Sequence, residues 1–136
     1  MGYTSDVVIA VAFQNKEQRD EVWAVYCMDP MVQKHKLSSQ WKNFDDDGTC
    51  ILWYHEECVK WYDNYEGVKG IEKLTTLAET FGEEREFEFA TLKIRIGEEY
   101  EDVENEYSCG DGSEDLMDTL QSHFGIHREL LTPDNS

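Results

Sequence analysis

The sequence predicts an α+β domain of the ferredoxin-like class, a βαββαβ sandwich with an acidic edge strand or loop and a short C-terminal helix. Two observations support this class. Segments with strand and helix patterns follow one another in the order strand, helix, strand, strand, helix, strand. The first and third strands are central in that topology, and residues 7–13 and 49–55 are the two most apolar strand segments of the chain.

The first strand is the continuous apolar run 7–13, which is typical of a strand covered on both faces because it lacks polar alternation. A helix is expected to follow, with Asn15 as its N-cap and Gln18 at the capping-box position. It ends at about Met28, since an Asp-Pro pair comes next. Its buried stripe is predicted to contain Val22, Trp23, Val25 and Tyr26.

The second and third strands are predicted to form a hairpin. Residues 39–44 have the pattern of a short strand, and residues 49–55 have that of the returning strand. The turn between them, 45–48, ends in Asp-Gly, which supplies the positive φ angles of tight hairpins. The segment 56–66 is ambiguous.

The second half of the chain repeats the helix and strand signals. Apolar residues at helical spacing between Val68 and Phe81 predict a helix with Gly82 as its C-terminal residue. Residues 84–96 alternate as a strand does, and residues 100–107 form either a fifth, edge strand or an acidic loop. Ser113 caps a last helix whose apolar stripe contains Leu116, Leu120 and Phe124.

Length and composition indicate one globular domain, residues 1–131, with a flexible tail at 132–136. The chain is 40% hydrophobic and 12% aromatic, which is too rich for a disordered acidic protein. It begins without the pattern of a signal peptide, and its longest apolar run is too short to cross a bilayer. The four cysteines form no CxxC pair, so a reduced, cytoplasmic setting without disulfides is expected.

Charge is the strongest functional indication. The chain has 30 acidic and 12 basic residues, a net charge of -18. Residues 98–118 include ten acidic side chains and no lysine or arginine. Because self-repulsion opposes compaction, this charge either keeps the protein soluble or serves to recognise a cationic partner. The fold is expected to be complete before most of this segment begins, and further carboxylates at Glu83, Glu84, Glu86, Glu88 and 45–47 are candidates to extend its surface.

Motifs for catalysis and metal binding are weak. Residues 45–47 resemble part of a calcium loop, but Cys50 stands where that loop needs glycine. His123 and His127 are four residues apart, yet Gly125 between them indicates the end of the helix. We therefore predict no cofactor, no metal site and no catalytic residue.

An aromatic cluster is the second functional indication. Trp53 is assigned to the core, whereas Trp61, Tyr62 and Tyr65 lie in the ambiguous segment before the second long helix. These three rings either pack beneath a loop or form a patch that anchors a partner.

Three stretches of the sequence resemble a family of small, acidic, uncharacterised phage and prophage proteins. They are MGYTSDV at 1–7, VKWYD at 59–63 with the residues leading to Ile71 and Glu72, and IRIGEEY at 94–100. The resemblance covers about residues 1–106 and leaves the C-terminal helix outside. It implies an accessory phage protein in the host cytoplasm, where small acidic phage proteins block defence systems or nucleic-acid enzymes, some by imitating DNA.

Three functional hypotheses follow. The first is a phage-encoded inhibitor, such as an anti-CRISPR protein, that binds a basic nucleic-acid-binding surface of a host protein but neither nucleic acid nor membrane. The second is an interaction module or oligomeric binding protein, for example a homodimer, in which the aromatic patch binds the partner and the charge serves only solubility. The third is an enzyme of unknown reaction. The predicted contact residues are Glu98, Glu99, Glu101, Asp102, Glu104, Glu106, Trp61, Tyr62 and Tyr65.

Overall fold

A five-stranded antiparallel sheet organises the structure, a computed structural model that describes residues 3–46, 48–62, 64–99, 102–127 and 129–131. Its strands lie in the order β2-β3-β1-β4-β5. The strands are β1 Ser5–Phe13, β2 Lys42–Asp46, β3 Thr49–Val59, β4 Phe89–Gly97 and β5 Val103–Cys109. Two short strands, β6 Gly125–His127 and β7 Glu129–Leu131, pair separately. Glu101 and the predicted tail 132–136 lie outside the described residues.

Four α-helices accompany the sheet within the described part of the chain. They are α1 Lys16–Met28, α2 Pro30–Lys34, α3 Glu66–Arg85 and α4 Glu114–His123, with a short 3-10 helix at Leu37–Gln40. The predicted α+β class is thus confirmed. The exact ferredoxin-like βαββαβ topology is not matched, because the main sheet has a fifth strand, β5, beside β4.

Strand β1 is buried on both faces, as its apolar run predicted. Val7, Ile9, Val11 and Phe13 belong to the core beneath α1 and α3. Val8, Ala10 and Ala12 belong to a second core on the other face of the sheet, together with three residues of the α4 region: Leu116, Leu120 and Phe124. Helix α4 therefore contributes to the core on this face of the sheet, and the expectation that the fold is complete before most of the acidic segment begins is wrong.

The first helix begins as predicted but buries a narrower stripe. Asn15 accepts a hydrogen bond from the backbone N–H of Gln18 at 2.9 Å. Val22 and Tyr26 are fully buried, whereas Val25 is 40% exposed. Arg19 is buried instead, because its guanidinium binds Asn43 and Asp45 and so ties α1 to β2.

Two of the predicted boundaries differ from those in the structure. Ser39 and Gln40 belong to the 3-10 helix, so β2 starts only at Lys42. Helix α3 continues through Gly82 to Arg85, because Gly82 packs against the ring of Phe89, where a Cβ would overlap it. Glu86 takes the left-handed conformation at the helix end, with φ 57°.

The two ends of the main sheet carry different connections. One end of the sheet carries the start of α1, the end of α3 and the β5–α4 connection. The opposite end carries Tyr3, the β3–α3 connection and the β4–β5 turn. None of the helices in the described residues combines the length and apolar character of a membrane-spanning segment.

Candidate functional site

Arg95 on β4 holds two of the predicted contact residues. Its Nη2 donates to Asp102 Oδ1 at 2.7 Å and to Glu104 Oε1 at 3.0 Å, and its Nη1 donates to Asp102 Oδ2 at 3.2 Å. The antiparallel register places Arg95 directly opposite Glu104. The guanidinium keeps the pKa of Asp102 below its usual range, helped by a hydrogen bond from Tyr3. Asp102 and Glu104 therefore act as internal partners of a cation.

The same cluster anchors the start of the chain. The Tyr3 hydroxyl donates to Asp102 Oδ2 at 2.6 Å and accepts from the Glu99 N–H at 3.0 Å. Tyr62, a predicted aromatic contact, is bound at both backbone groups of Tyr3: its hydroxyl accepts from the Tyr3 N–H at 2.7 Å and donates to the Tyr3 carbonyl at 3.1 Å. Gly97 lies inside this network, because a Cβ there would overlap Asp102 and Tyr3. The cluster therefore links the start of the chain to the β3–α3 connection and to the β4–β5 turn.

The other predicted carboxylates are less engaged. Glu98 and Glu99 are exposed in the β4–β5 turn, and Glu98 accepts a hydrogen bond from Thr4 at 3.1 Å. Glu106 is exposed on β5, opposite Lys93 in the register, on the same strand face as Glu104. Val103 and Tyr107 lie on the opposite face of β5, so the segment for which a strand or a loop was expected contains a strand from Val103 to Cys109. Glu101 lies outside the described residues.

A separate acidic feature lies at the C-terminal end of α3. A groove of about 590 Å³ opens where α3, the α3–β4 connection and the β5–α4 connection meet. Among its described lining residues no lysine or arginine occurs, and four are acidic: Glu79, Glu83, Glu86 and Asp111. We call it the acidic groove. It brings together side chains that are up to 32 positions apart in the sequence.

The groove also has an apolar floor. Phe87 and Phe89 line it, and Phe89 is 6% exposed. Arg85, the cation next to it in sequence, forms an ion pair with Glu21 of α1. Its guanidinium lies 4.8 Å from the ring centre of Phe81. The positive charge of Arg85 is therefore already matched by another carboxylate.

A second, smaller groove continues along the gap between α3 and β5. Its volume is about 340 Å³, and it shares Glu79 and Ser108 with the acidic groove. Glu106 lines it, as do Glu72 and Lys93, which form an ion pair at 3.4 Å. The edge carboxylate Glu106 and the acidic groove thus lie along one continuous side of the molecule.

The aromatic cluster divides between packing and exposure. Trp61 is 8% exposed and contacts the ring of Tyr54 at a centroid distance of 5.8 Å. Tyr65 is 44% exposed and meets Tyr62 edge-on at 5.1 Å. Of the three predicted aromatic contacts, Tyr65 is therefore the most exposed, although more than half of its surface is covered.

Of the residues considered for metal binding, His123 and Asp46 are partners of each other. His123 lies 2.8 Å from Asp46 Oδ2 and packs edge-on against Phe44. The side chain of His127 lies outside the described part of the structure, as does Asp47 of the predicted turn. Within the described residues no group of three or more potential metal ligands comes together.

Sequence reasoning located part of the acidic groove. Glu83 and Glu86 were expected to extend the acidic surface, and they line the groove. The approach of Asp111 was not predicted, because it depends on the pairing of β5 with β4. The ion pairs of Arg95 were missed for the same reason, since alternation gives the face of a side chain but not the register of its partner strand.

Comparison with known proteins adds no relative. Neither the models of known protein families nor the curated proteins match this sequence.

Proposed function

We propose that this protein acts without catalysis, by binding a basic surface of another protein through the acidic groove. The observation that carries the proposal is the convergence of four carboxylates on one groove whose described lining contains no basic residue. Solvated charge that only serves solubility has no need of a concave, partly aromatic surface. A groove with these walls is complementary to lysine and arginine side chains.

A lysine or arginine side chain of the partner can contact both the aromatic and the acidic residues of the groove. The aliphatic stem of a lysine or arginine packs against Phe87 and Phe89, while its charged head reaches Glu83, Glu86 or Asp111 at the rim. The net charge of -18 raises the rate of encounter with a basic partner. Binding is therefore expected to be fast and to weaken with salt.

The proposed partner is a host protein whose basic surface normally binds nucleic acid. An array of carboxylates competes with phosphates for the same cations, and the chain's own charge disfavours direct binding of nucleic acid. The resemblance to small acidic phage proteins supports a phage-encoded inhibitor of host defence that acts in the host cytoplasm. Glu106 extends the acidic side along β5, whereas Glu98 and Glu99, in the β4–β5 turn at the opposite end of the sheet, contribute only to long-range steering.

The test compares three variants that each remove two negative charges. Glu83→Gln/Glu86→Gln alters the groove. Glu99→Gln/Glu106→Gln alters one carboxylate of the β4–β5 turn and one of β5, and we call it the edge variant. Glu56→Gln/Glu57→Gln is the control near the end of β3 that lies opposite the groove. Binding to a fluorescent nona-arginine peptide is measured by anisotropy. The groove variant is expected to lose about tenfold in affinity, because two exposed ion pairs contribute roughly 0.5–1 kcal/mol each.

The control variant should change affinity less than about twofold, because its charges act only through the screened long-range field. The edge variant should lie between the two. Equal losses of affinity in all three variants would show that binding depends on net charge alone, and would overturn the assignment of the groove as the binding site. The groove variant should also fail to retain a nucleic-acid-binding protein that the wild type captures from bacterial lysate and inhibits.

A further inference from the structure

Strand β5 forms an open edge of the main sheet. In the described part of the chain it pairs with β4 alone, because it stands last in the strand order. An edge strand presents a row of backbone N–H and C=O groups that can pair with a further strand. The side chains of β5 decide which strand this edge can accept.

The register shows which backbone groups of β5 point away from the sheet. The Gly97 N–H donates to the Asp102 carbonyl at 2.7 Å, and the Gly110 N–H donates to the Phe89 carbonyl at 3.2 Å. Hydrogen-bonded pairs recur at every second position of an antiparallel ladder, so the even-numbered residues of β5 bond to β4. The backbone groups that point outward belong to Val103, Asn105, Tyr107 and Cys109.

One face of β5 is acidic and lacks a full complement of cations. Glu104 shares Arg95 with a second carboxylate. Lys93, the residue opposite Glu106, pairs instead with Glu72 of α3 at 3.4 Å. The Glu106 carboxylate therefore has no cation of its own among the described residues. A strand added beside β5 would place its Cβ atoms about 4.5–5.5 Å away, where lysine or arginine would supply the missing charge.

The other face of β5 is apolar at two exposed positions. Val103 is 43% exposed and Tyr107 is 50% exposed, with Asn105 between them. Because side chains alternate along a strand, an added strand would set every second side chain beside these two. Aromatic and β-branched residues stabilise such cross-strand pairs. The complement of β5 is thus a strand in which basic and apolar residues alternate.

A second copy of β5 is a poor occupant of this edge. Residues on the same face of paired strands lie opposite each other, so self-pairing would set the glutamates of one copy against those of the other. Like charges in that position destabilise a sheet. The net charge of -18 adds repulsion between two copies over longer distances.

We propose that the edge of β5 binds an extended segment of a partner protein, with alternating basic and apolar residues, as a sixth strand of the main sheet. Antiparallel pairing is the more stable kind, and all four pairings within this sheet are antiparallel. Backbone hydrogen bonds provide affinity, and the two faces of β5 provide specificity. The site does not use the carboxylates of the acidic groove, so it goes beyond the function proposed for that groove and does not rest on it.

The first experiment follows amide hydrogen exchange in ¹⁵N-labelled protein with a heptapeptide in which lysine and valine alternate, beginning and ending with lysine. In the free protein the outward amides of Val103, Asn105 and Tyr107 should exchange fast, whereas those of Glu104 and Glu106 should be protected by β4. At a peptide concentration of about ten times Kd, the outward amides should exchange about tenfold more slowly, since roughly one-tenth of the protein remains free. A matched peptide with glutamate in place of lysine should give no protection.

Asn105 supplies a matched pair of variants that separates backbone pairing from charge. Its side chain is exposed and its N–H points outward, so proline at this position removes no hydrogen bond to β4. Asn105→Pro should abolish the protection of the β5 amides by the lysine peptide, whereas Asn105→Ala should retain it.

The peptide allows the same test with the wild-type protein. In antiparallel addition the valine amides face β5 and the lysine amides face away from it. A peptide that is N-methylated at two valines should therefore give no protection. A peptide that is N-methylated at the two inner lysines should still protect the outward amides.

Four results would overturn the proposal. One is the absence of protection at the outward β5 amides, even if the lysine peptide binds, because charge attraction alone would then explain binding. Another is equal protection by the glutamate peptide, and a third is an equal effect of the two methylated peptides. The fourth is protection in the protein alone that grows with its concentration, which would mean that a second copy covers β5.

This test can fail separately from that of the acidic groove. Glu83→Gln/Glu86→Gln, which is expected to weaken the binding of nona-arginine, should leave the protection of the β5 amides unchanged, because neither residue belongs to β5.

Discussion

Gly97 shows how much of this structure depends on single close contacts. It occupies the end of β4, where the Asp102 carboxylate and the Tyr3 hydroxyl approach the backbone so closely that a Cβ would overlap both. Its own N–H donates to the Asp102 carbonyl at 2.7 Å. The requirement for glycine thus comes from packing, since no positive φ is involved.

Replacement of Gly97 by alanine is expected to lower the free energy of unfolding by about 1–3 kcal/mol at neutral pH, the usual cost of overpacking. The effect should shrink in acid. Arg95 and Tyr3 lower the pKa of Asp102 in the folded protein, so the stability that this carboxylate contributes is present above its unfolded pKa and lost as pH falls through the folded value.

Urea denaturation between pH 7 and pH 3 measures both effects. Gly67→Ala is the matched control, because its added methyl group meets open space. If the difference in the free energy of unfolding between wild type and Gly97→Ala stays constant over this pH range, the new methyl group does not displace Asp102.

At the scale of elements, the sequence predicted the features that depend on residues near each other in the chain, such as helix starts and strand faces. Asn15 marked the start of α1, and the alternation around Leu92 assigned the two faces of β4 correctly. Tertiary contacts decided the other features. Gly82 lies within α3 instead of ending it, and the Phe89 ring packs against it. Arg95 forms an ion pair with Glu104 because the pairing of β4 with β5 places the two residues opposite each other. The sequence predicted that Glu83 and Glu86, at the end of α3, belong to an acidic surface. It did not predict Asp111, because only the β5–α4 connection brings this residue to the groove.

The last helix is the element whose role the sequence understated. Leu120 of α4 is fully buried against the sheet face formed in part by Ala10 and Leu92. We expect Leu120→Ala to lower the free energy of unfolding by about 2–5 kcal/mol, because it removes buried methyl groups and leaves a cavity.

Met28→Ala is the control for that substitution, since Met28 is 73% exposed and its truncation should change stability by less than about 0.5 kcal/mol. Thermal or urea denaturation followed by circular dichroism compares the two. Similar stability of Leu120→Ala and wild type would mean that α4 does not hold this face of the sheet.

At the scale of the whole molecule, attraction between paired charges competes with repulsion among the carboxylates. The ion pairs, such as Arg95 with Asp102 and Lys73 with Asp29, favour the fold at distances of 2.7 Å. The net charge of -18 opposes it through repulsion over longer distances. Most of the carboxylates at the end of α3 and around α4 are exposed, and exposed pairs contribute only about 0–1 kcal/mol each. Repulsion should therefore outweigh attraction at low ionic strength.

Salt separates repulsion from attraction because screening depends on distance. Between about 10 mM and 100 mM NaCl the Debye length falls from roughly 30 Å to roughly 10 Å, which screens repulsion across the molecule before it screens contacts of a few ångströms. The Tm at pH 7 is therefore expected to rise with NaCl over this range, as measured by circular dichroism. Glu83→Gln/Glu86→Gln, which changes the net charge from -18 to -16, should have a higher Tm at low salt and a smaller salt dependence. A Tm that falls with NaCl would mean that local ion pairs dominate, and that the acidic groove carries its charge at no cost to the fold.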